Sequence, residues 1–294
     1  MAYTRAPGNA FSFWLRRTLR WSRGMPTLTD EPKADLFAYL DPEPAGTGLF
    51  PAASRVKENA EAREGELRER YQLDPLRTRS TAAVYRKNLY LLDILERAAL
   101  GLDLPPCGKG PLKALDVGAQ DWHYVFALER WLAQGTAVRG AGADRHVILR
   151  GVELDGYGIY PDLRSRCDYA RAYGTQTGNP SVAYEVADFL KVAGADLDVI
   201  TWFYPFVARH HLLLWGLPLR HFAPARLIEK AARMLRPGGW LVAFTHTLPE
   251  QEAFLALGRA DGRLELVRAG EARSRLVDFH AEVEDRRYSF WRRK

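Results

Sequence analysis

Hydrophobic and polar positions along the chain change their spacing near residue 112. From there on, short apolar runs alternate with amphipathic stretches of helical period, a pattern typical of parallel strands joined by helical crossovers. The predicted strands are 112–117, 146–153, 182–187, 197–203, 240–245, 264–268 and 287–291. The predicted helices among them are 122–133, 160–173, 223–236 and 250–259. This order predicts an α/β domain with a mainly parallel sheet and helices on both faces, closed at one edge by its last two strands as a hairpin-like unit.

The first 80 residues follow a different pattern, which predicts a mostly helical and irregular N-terminal extension (1–80) ahead of the α/β domain (81–294). Residues 11–23 predict a basic amphipathic helix. Its apolar residues cluster on one side, and they are Phe11, Trp14, Leu15 and Leu19. Residues 24–54 contain repeated prolines and predict loops or short turns.

Two further helices are predicted before the first strand. Residues 56–71 carry Glu and Arg at helical spacing, which is typical of a solvated helix. Residues 81–100 have a broad apolar face, which indicates a helix that covers a core.

Composition and charge exclude several classes of protein. The chain has 294 residues, a net charge of +6, 47% hydrophobic and 27% charged residues, which is ordinary for a globular protein. No stretch reaches the ~18 apolar residues of a spanning helix, and arginines interrupt the only apolar N-terminal segment, unlike a secretory signal. Cys107 and Cys167 are far apart, so we expect neither a disulfide framework nor a cysteine metal site, and a reducing cytoplasm is the default location.

Acidic and polar residues follow the predicted strands at the edge where open parallel sheets bind ligands. Asp116, Glu153 and Asp188 end or follow the first three strands, while Tyr204 and His246 follow the fourth and fifth. A carboxylate after the second strand is well placed to accept hydrogen bonds from both hydroxyls of a ribose.

Five segments in this order resemble the motifs of class I S-adenosylmethionine-dependent methyltransferases. They are ALDVGAQ at 114–120, GVELD at 151–155, VADFL at 186–190, LDVITWFYPF at 197–206 and MLRPGGWLVAFTH at 234–246. The resemblance covers residues 81–294 and implies a Rossmann-like methyltransferase fold with a seven-stranded sheet and S-adenosylmethionine as cofactor. The cofactor-binding residues that it implies are Asp116, Gly118, Gln120, Glu153, Asp188 and Phe189.

The resemblance also implies a role for most of these residues. Glu153 takes the ribose position, Asp188 the adenine edge, and Asp116 with Gly118 the amino-acid end of the cofactor, which Gln120 could also reach. The family usually has glycines at alternate positions of its first motif, where this chain has Gly118, Gln120 and Trp122. Trp122 could therefore pack under the sheet or obstruct the pocket, and Asp121 is a plausible N-cap for a helix that begins at 122.

The leading function is methyl transfer to a small-molecule, lipid or saccharide acceptor. Because the first motif is degenerate, the alternative is a catalytically degenerate fold that acts as a binding or scaffold module. An RNA methyltransferase is a further alternative, which the net charge permits but which no visible RNA-binding module favours. A nicotinamide-dependent enzyme is less favoured, because Gly-x-Gly-x-x-Gly is absent after the first strand.

An apolar insertion at 205–224 is too long for an ordinary strand-to-helix connection. We expect it to contain a short helix and to form a lid or acceptor wall, with a dimer contact as the alternative. The candidates for orienting or deprotonating an acceptor are Tyr204, His210, His211 and His246. Replacing Trp215 and Leu214 by Ala is expected to reduce turnover or acceptor affinity without changing cofactor affinity.

Positive charge is concentrated at the two ends of the chain, in residues 1–25 and 286–294. If the ends lie together, they form a patch for an anionic membrane or an acidic partner. The alternative is that the N-terminal aromatic residues pack on the domain.

Overall fold

The sheet has seven strands in the order β3-β2-β1-β4-β5-β7-β6. The computed structural model describes residues 7–29, 33, 36–37, 53–104, 110–134, 145–274, 276 and 286–294. The strands are β1 (Leu112–Val117), β2 (Val147–Glu153), β3 (Val182–Val186), β4 (Leu197–Phe203), β5 (Leu235–Thr245), β6 (Leu264–Glu271) and β7 (Arg287–Arg293). Strands β1 to β5 pair in parallel, while β7 is antiparallel to both β5 and β6. The expected Rossmann-like methyltransferase fold is therefore confirmed, including the antiparallel pair at the edge.

Helices cover both faces of this sheet. They are α1 (Pro7–Leu19), α2 (Ala53–Tyr71), α3 (Asp74–Thr78), α4 (Ala82–Ala99), α5 (Val125–Gln134), α6 (Arg166–Gln176), α7 (Arg209–Leu214), α8 (Pro224–Met234) and α9 (Leu248–Asp261). Leu112 and Ala114 of β1 join the core on the α4 and α5 side, whereas Leu115 and Val117 join the core on the α8 and α9 side. This alternation is the period of two that a strand buried on both faces requires.

Among the predicted boundaries that differ from the structure, three helix boundaries differ for local reasons. Helix α5 begins at Val125 rather than at 122, because Trp122 has a left-handed φ of 57°. Helix α6 begins at Arg166 rather than at 160, where Ser165 and Asp168 form a reciprocal capping box. Helix α8 ends at Met234, before the Pro-Gly-Gly segment, which is part of β5.

Helix α2 is not simply the solvated helix that its charges predict. Arg63 is buried, and its guanidinium donates to Asp93 (2.7 Å), Glu66 (2.8 Å) and Glu96 (2.5 Å). Asp93 and Glu96 lie on α4, so this network joins the two helices. The buried Leu67 lies in the same core as α4. The sequence boundary at residue 80 stays a prediction about domain organisation.

Helix α1 packs on the α/β domain with its polar face. Arg16 makes a bidentate contact with the buried Asp155 (2.9 and 3.1 Å), and Arg17 donates to the Leu154 carbonyl (2.9 Å). Asn9 donates to the Leu213 carbonyl at 2.9 Å. Of its large apolar side chains, only Phe13 is buried.

None of the described helices has the length and hydropathy that a membrane-spanning helix requires. The predicted loop at 24–54 lies mostly outside the described residues, and its described parts at 24–29, 33 and 36–37 contain neither helix nor strand. Cys107 also lies outside the described residues, and Cys167 is a buried free thiol.

Candidate functional site

A cavity of about 500 Å³ opens at the carboxyl edge of the parallel strands. The segments that line it follow β1, β2, β3 and β4, and the insertion between β4 and α8 supplies the opposite wall. This cavity therefore lies where open α/β sheets bind their ligands, and we call it the larger cavity to distinguish it from a second one described below. Of the expected cofactor residues, it brings together Gly118, Gln120, Glu153, Asp188 and Phe189.

Glu153 presents a buried carboxylate to the larger cavity. Its Oε2 accepts from the Gln120 main-chain N–H (3.0 Å), and its Oε1 accepts from the Asp155 N–H (2.8 Å). Burial raises the pKa of this carboxyl, while the two main-chain donors and Arg166 act in the opposite direction. Each oxygen retains a lone pair, so the carboxylate is oriented and can still accept two further hydrogen bonds.

Asp188 and Phe189 line the same cavity beyond β3. Asp188 caps the short 3₁₀ turn Phe189–Lys191, because its Oδ1 accepts from the Leu190 N–H at 3.0 Å. Its Oδ2 lies 3.9 Å from His221 Nδ1, and burial lowers the pKa of His221. The Phe189 ring packs edge-on against Trp202, so an acidic edge and an apolar surface stand side by side.

The loop after β1 has a glycine-like backbone at three positions, although only one of them is a glycine. Gly118, Gln120 and Trp122 have φ values of 74°, 53° and 57°, all in the left-handed region that favours glycine. This backbone directs the Gln120 N–H at Glu153 and the Gln120 carbonyl at the Tyr184 hydroxyl. The degenerate motif therefore retains the turn that brings the main chain to the cavity.

Trp122 packs under the sheet and does not obstruct the cavity. Its indole is fully buried against β2, and a Cβ placed on Gly151 would lie 2.6 Å from the ring. Its Nε1 donates to Asp116 Oδ2 at 2.9 Å. Tyr124 and Thr201 hydroxyls also donate to the Asp116 carboxylate, at 2.8 and 2.6 Å.

Asp116 consequently differs from its expected role at the amino-acid end of the cofactor. It is fully buried among these three donors and does not line the larger cavity. Burial raises its pKa to about 7, and the three side-chain hydrogen bonds oppose that rise. The Asp116 carboxyl therefore positions the loop after β1 through its hydrogen bonds with Trp122 and Tyr124.

Asp121 does not cap a helix as predicted, because α5 begins four residues later. Instead it accepts from His123 Nδ1 (2.8 Å) and from the Tyr160 hydroxyl (2.9 Å). His123 lowers the pKa of Asp121 against the effect of burial. His123 of this pair lines a second, smaller cavity.

The smaller cavity has a volume of about 290 Å³ and adjoins the larger one. Both are lined by a shared wall of five residues, Gly118, Gln120, Phe203, Tyr204 and Trp215. Helix α4 forms the far side with Lys87, Tyr90, Leu91 and Ile94. The buried Asn88 holds α4 there, since it donates to the His123 carbonyl (2.9 Å) and accepts from the Ala127 N–H (3.2 Å).

The four catalytic candidates divide into two pairs. Tyr204 and His246 both line the smaller cavity, and their rings stack at 3.9 Å with an angle of 10°. His210 and His211 line neither described cavity. Helix α7 turns Leu212 inward, so His210 is exposed and His211 pairs with Glu250 at the start of α9.

The insertion contains the expected short helix, but its two test residues differ in position. Trp215 lines both cavities, with the Arg166 guanidinium 4.6 Å from its ring centroid. Leu214 is 69% exposed and lines neither. The expectation that both replacements act alike is therefore not supported by the geometry.

Several cavity residues were not identified from the sequence. They are Lys191, Arg220, His221 and Arg226 at the larger cavity, and Lys87, Tyr90, Tyr124 and Arg286 at the smaller one. Trp202 also lines the larger cavity, and the sequence could have identified it, because it lies two residues before Tyr204 at the end of β4. No sequence signal identifies Arg286 as a cavity residue, because only tertiary packing places its guanidinium 5.2 and 5.6 Å from the centroids of the Tyr90 and Tyr204 rings.

The described parts of the two basic ends, 7–25 and 286–294, lie apart. Helix α1 contacts residues just after β2, whereas the C-terminal arginines lie on β7, four strand spacings or about 19 Å across the sheet. Arg286 lines the smaller cavity, and Arg287 pairs with Glu271. The described parts of the two ends therefore do not form one patch, and contact of the basic ends with an anionic membrane or an acidic partner stays a prediction.

Comparison with known proteins gives similarity in fold alone. No family model and no curated protein matches the chain. TrmN from Thermus thermophilus matches at 17% identity and a TM-score of 0.44 over 70% of this chain, which spans about half (49%) of TrmN. The N-methyltransferase NodS from Bradyrhizobium japonicum WM9, in complex with S-adenosyl-L-homocysteine, matches at 15% identity and 0.44 over 80% of this chain and 98% of NodS. The [4+2]-cyclase SpnF matches at 14% identity and a TM-score of 0.46, over 71% of this chain and 80% of SpnF.

Proposed function

We propose that this chain transfers a methyl group from S-adenosylmethionine, held in the larger cavity, to an acceptor held in the smaller one. The observation that carries this proposal is the shared wall. Two cavities of ligand size meet at Gly118, Gln120 and Tyr204, with the oriented Glu153 carboxylate on the larger side. Such an arrangement suits two reactants that must be brought into contact.

The residues of the larger cavity fit this cofactor. A volume of about 500 Å³ is within the range of small-ligand sites. Glu153 would hold the ribose hydroxyls with its two remaining lone pairs, and Asp188 would accept from the adenine amino group. Phe189 would pack against the adenine ring, and the main chain at Gly118 and Gln120 would approach the amino-acid end.

Methyl transfer requires the protein mainly to position the cofactor and the acceptor. S-adenosylmethionine, when bound, supplies a methyl group that its sulfonium already activates. The chain must orient the acceptor, exclude water and, for a protonated nucleophile, take up a proton. His246, stacked on Tyr204 in the smaller cavity, is the residue that we assign to proton uptake. His210 and His211 have no part in this assignment.

The smaller cavity favours a small-molecule acceptor with an apolar or aromatic portion. Its described lining is rich in such side chains, which include Tyr90, Leu91, Ile94, Tyr124 and Phe203. A lipid or saccharide acceptor would have to place a comparable group there. The basic residues Lys87 and Arg286 add positive charge among the described lining residues.

Isothermal titration with S-adenosylmethionine and S-adenosylhomocysteine tests the cofactor assignment. We expect micromolar binding, and about tenfold weaker binding by Asp188→Asn, which retains the 3₁₀ cap but loses the charge. Glu185→Gln on β3 is the matched control, because its exposed carboxylate lies outside the cavity. Glu153→Ala is a poorer test than the sequence suggests, because it would also strand two main-chain donors.

The same titration separates the alternatives. Absence of binding at millimolar ligand would contradict the proposal and favour a degenerate fold that acts as a binding or scaffold module. Binding together with transfer of labelled methyl groups to RNA, and not to small-molecule extracts, would favour an RNA methyltransferase. Loss of transfer in His246→Ala with unchanged cofactor affinity would support the assigned proton uptake.

A further inference from the structure

Helix α1 is amphipathic in the reverse sense to most surface helices. Its polar side chains Asn9, Arg16 and Arg17 face the protein and bind Leu213, Asp155 and Leu154. Its apolar side chains other than Phe13 face outward. Their exposed fractions are 64% for Phe11, 54% for Trp14, 38% for Leu15 and 65% for Leu19.

The exposed apolar surface continues on both sides of the helix. Trp21 is 47% exposed and donates its indole N–H to the carbonyl of Leu163, which is itself 58% exposed. On the other side, Asn9 reaches the carbonyl next to Leu214, which is 69% exposed. We call this surface, Phe11, Trp14, Leu15, Leu19, Trp21, Leu163 and Leu214, the α1 patch. A run of large apolar groups of this kind is typical of an interaction surface.

Positive charge surrounds the α1 patch. Arg20 and Arg23 are exposed on either side of Trp21 in the chain, Arg209 is exposed on the same short helix as Leu214, and Arg220 is exposed over the ring of Phe13 in α1. The nearby acids are engaged: Asp155 is buried against Arg16 and Arg166, and Asp168 is buried against Ser22 and the Arg23 and Gly24 N–H groups. Asp162 accepts from Arg164 and Tyr169. The charge around the patch is therefore complementary to an anionic surface.

We infer that the α1 patch docks the protein onto an anionic lipid surface. Leucine and phenylalanine side chains would enter the interface, the two tryptophans would lie at headgroup depth, and the arginines would meet lipid phosphates. The polar face of α1 is already satisfied by the protein, so binding requires no turning of the helix. This inference does not depend on methyl transfer.

Vesicle flotation of the full chain tests the inference. We expect binding to vesicles of phosphatidylcholine with phosphatidylglycerol at low salt, weaker binding at high salt, and little binding to phosphatidylcholine alone. The variant Trp14→Ser/Leu19→Ser should bind at least about tenfold more weakly. Leu100→Ser is the matched control, because Leu100 has the same 65% exposure as Leu19 but lies at the end of α4.

Thermal unfolding and size-exclusion chromatography of the three proteins complete the test. An unfolding temperature of the double variant close to those of the unaltered chain and of Leu100→Ser would show that the double variant is folded. Equal vesicle binding by the double variant, or no binding by the unaltered chain, would overturn the inference. A dimer that the double variant converts to a monomer, without vesicle binding, would overturn it in favour of a second copy of this chain as the occupant.

Discussion

At the scale of single residues, the loop after β1 stores conformational strain at the candidate site. Gln120 and Trp122 hold left-handed φ angles that cost a non-glycine residue roughly 1–2 kcal/mol each. Hydrogen bonds to Glu153, Asp116 and Tyr184 hold both residues in place. Strained backbone of this kind persists only where its surroundings determine it.

Relief of this strain is measurable at position 120. Gln120→Gly should stabilise the chain by about 1 kcal/mol, because glycine adopts this φ without the steric cost, whereas Gln120→Val should destabilise it. Both variants keep the main-chain N–H that binds Glu153. Denaturant unfolding measures the change. Lys113→Gly, at an exposed position of β1, should instead destabilise by about 0.5–1 kcal/mol, and a similar loss in Gln120→Gly would contradict the prediction.

Asp116 should make stability fall with rising pH. Its pKa rises from 3.8 to about 7 on folding, so the folded state binds more protons between those values. The free energy of unfolding should therefore fall with a slope of up to about 1.4 kcal/mol per pH unit in that window. Asp116→Asn can still accept from Trp122 and Tyr124 and should remove this contribution. Equal pH slopes for the two proteins in thermal unfolding would contradict the prediction.

At the scale of elements, helix α1 is held by one ion pair, one buried aromatic side chain and the hydrogen bonds of Asn9 and Arg17. Arg16 binds the buried Asp155, and Phe13 packs on Leu212 and Leu217, which line the larger cavity. The His221 ring meets Phe13 edge-on at 5.1 Å. The helix therefore supports the outer wall of the larger cavity.

Removal of the ion pair should loosen that wall. In Arg16→Met, Asp155 keeps Arg166 as its partner, but α1 loses a bidentate charged contact that is worth about 1.5–3 kcal/mol. Hydrogen exchange of α1 amides should accelerate about tenfold or more, and cofactor affinity should fall. Arg20→Met, at an exposed position of the same segment, should change neither quantity. Unchanged exchange in Arg16→Met would mean that Phe13, Asn9 and Arg17 hold the helix without the ion pair.

The sequence predicts elements better than it predicts their orientation. Strands β1 and β4 match their predicted bounds, because alternating or continuous apolar runs determine them locally. The same local pattern predicts the short helix α7 but not which of its sides faces the cavity, so it does not show that His210 and His211 lie outside the lining of both cavities. Only tertiary packing against Leu212 and Glu250 decides that orientation.

At the scale of the whole molecule, the two cavities depend on one aromatic wall. Trp215 lines both, and its position couples the insertion to Arg166 of α6. The surroundings of Leu214 are different, because that side chain faces outward in the α1 patch. The insertion at 205–224 therefore presents Trp215 to the candidate site and Leu214 to the protein surface.

Substitution at these neighbouring positions should separate the two faces. Trp215→Ala removes one aromatic side chain of the shared wall and should weaken S-adenosylhomocysteine binding about tenfold, because the ligand loses an apolar contact. Leu214→Ala should leave that affinity unchanged. Titration calorimetry on both variants measures the difference. Equal effects of the two substitutions would contradict the assignment of Trp215 to the shared wall.

The fit of Trp122 against Gly151 restricts how this sequence can change over evolutionary time. Any side chain at 151 would collide with the indole at 2.6 Å, so Gly151 can vary only after residue 122 has become small. The reverse order is open, because a smaller residue at 122 leaves a void but no collision. Joint change at 122 and 151 thus has a defined order of permitted steps, and the two positions should vary together among descendants of this chain.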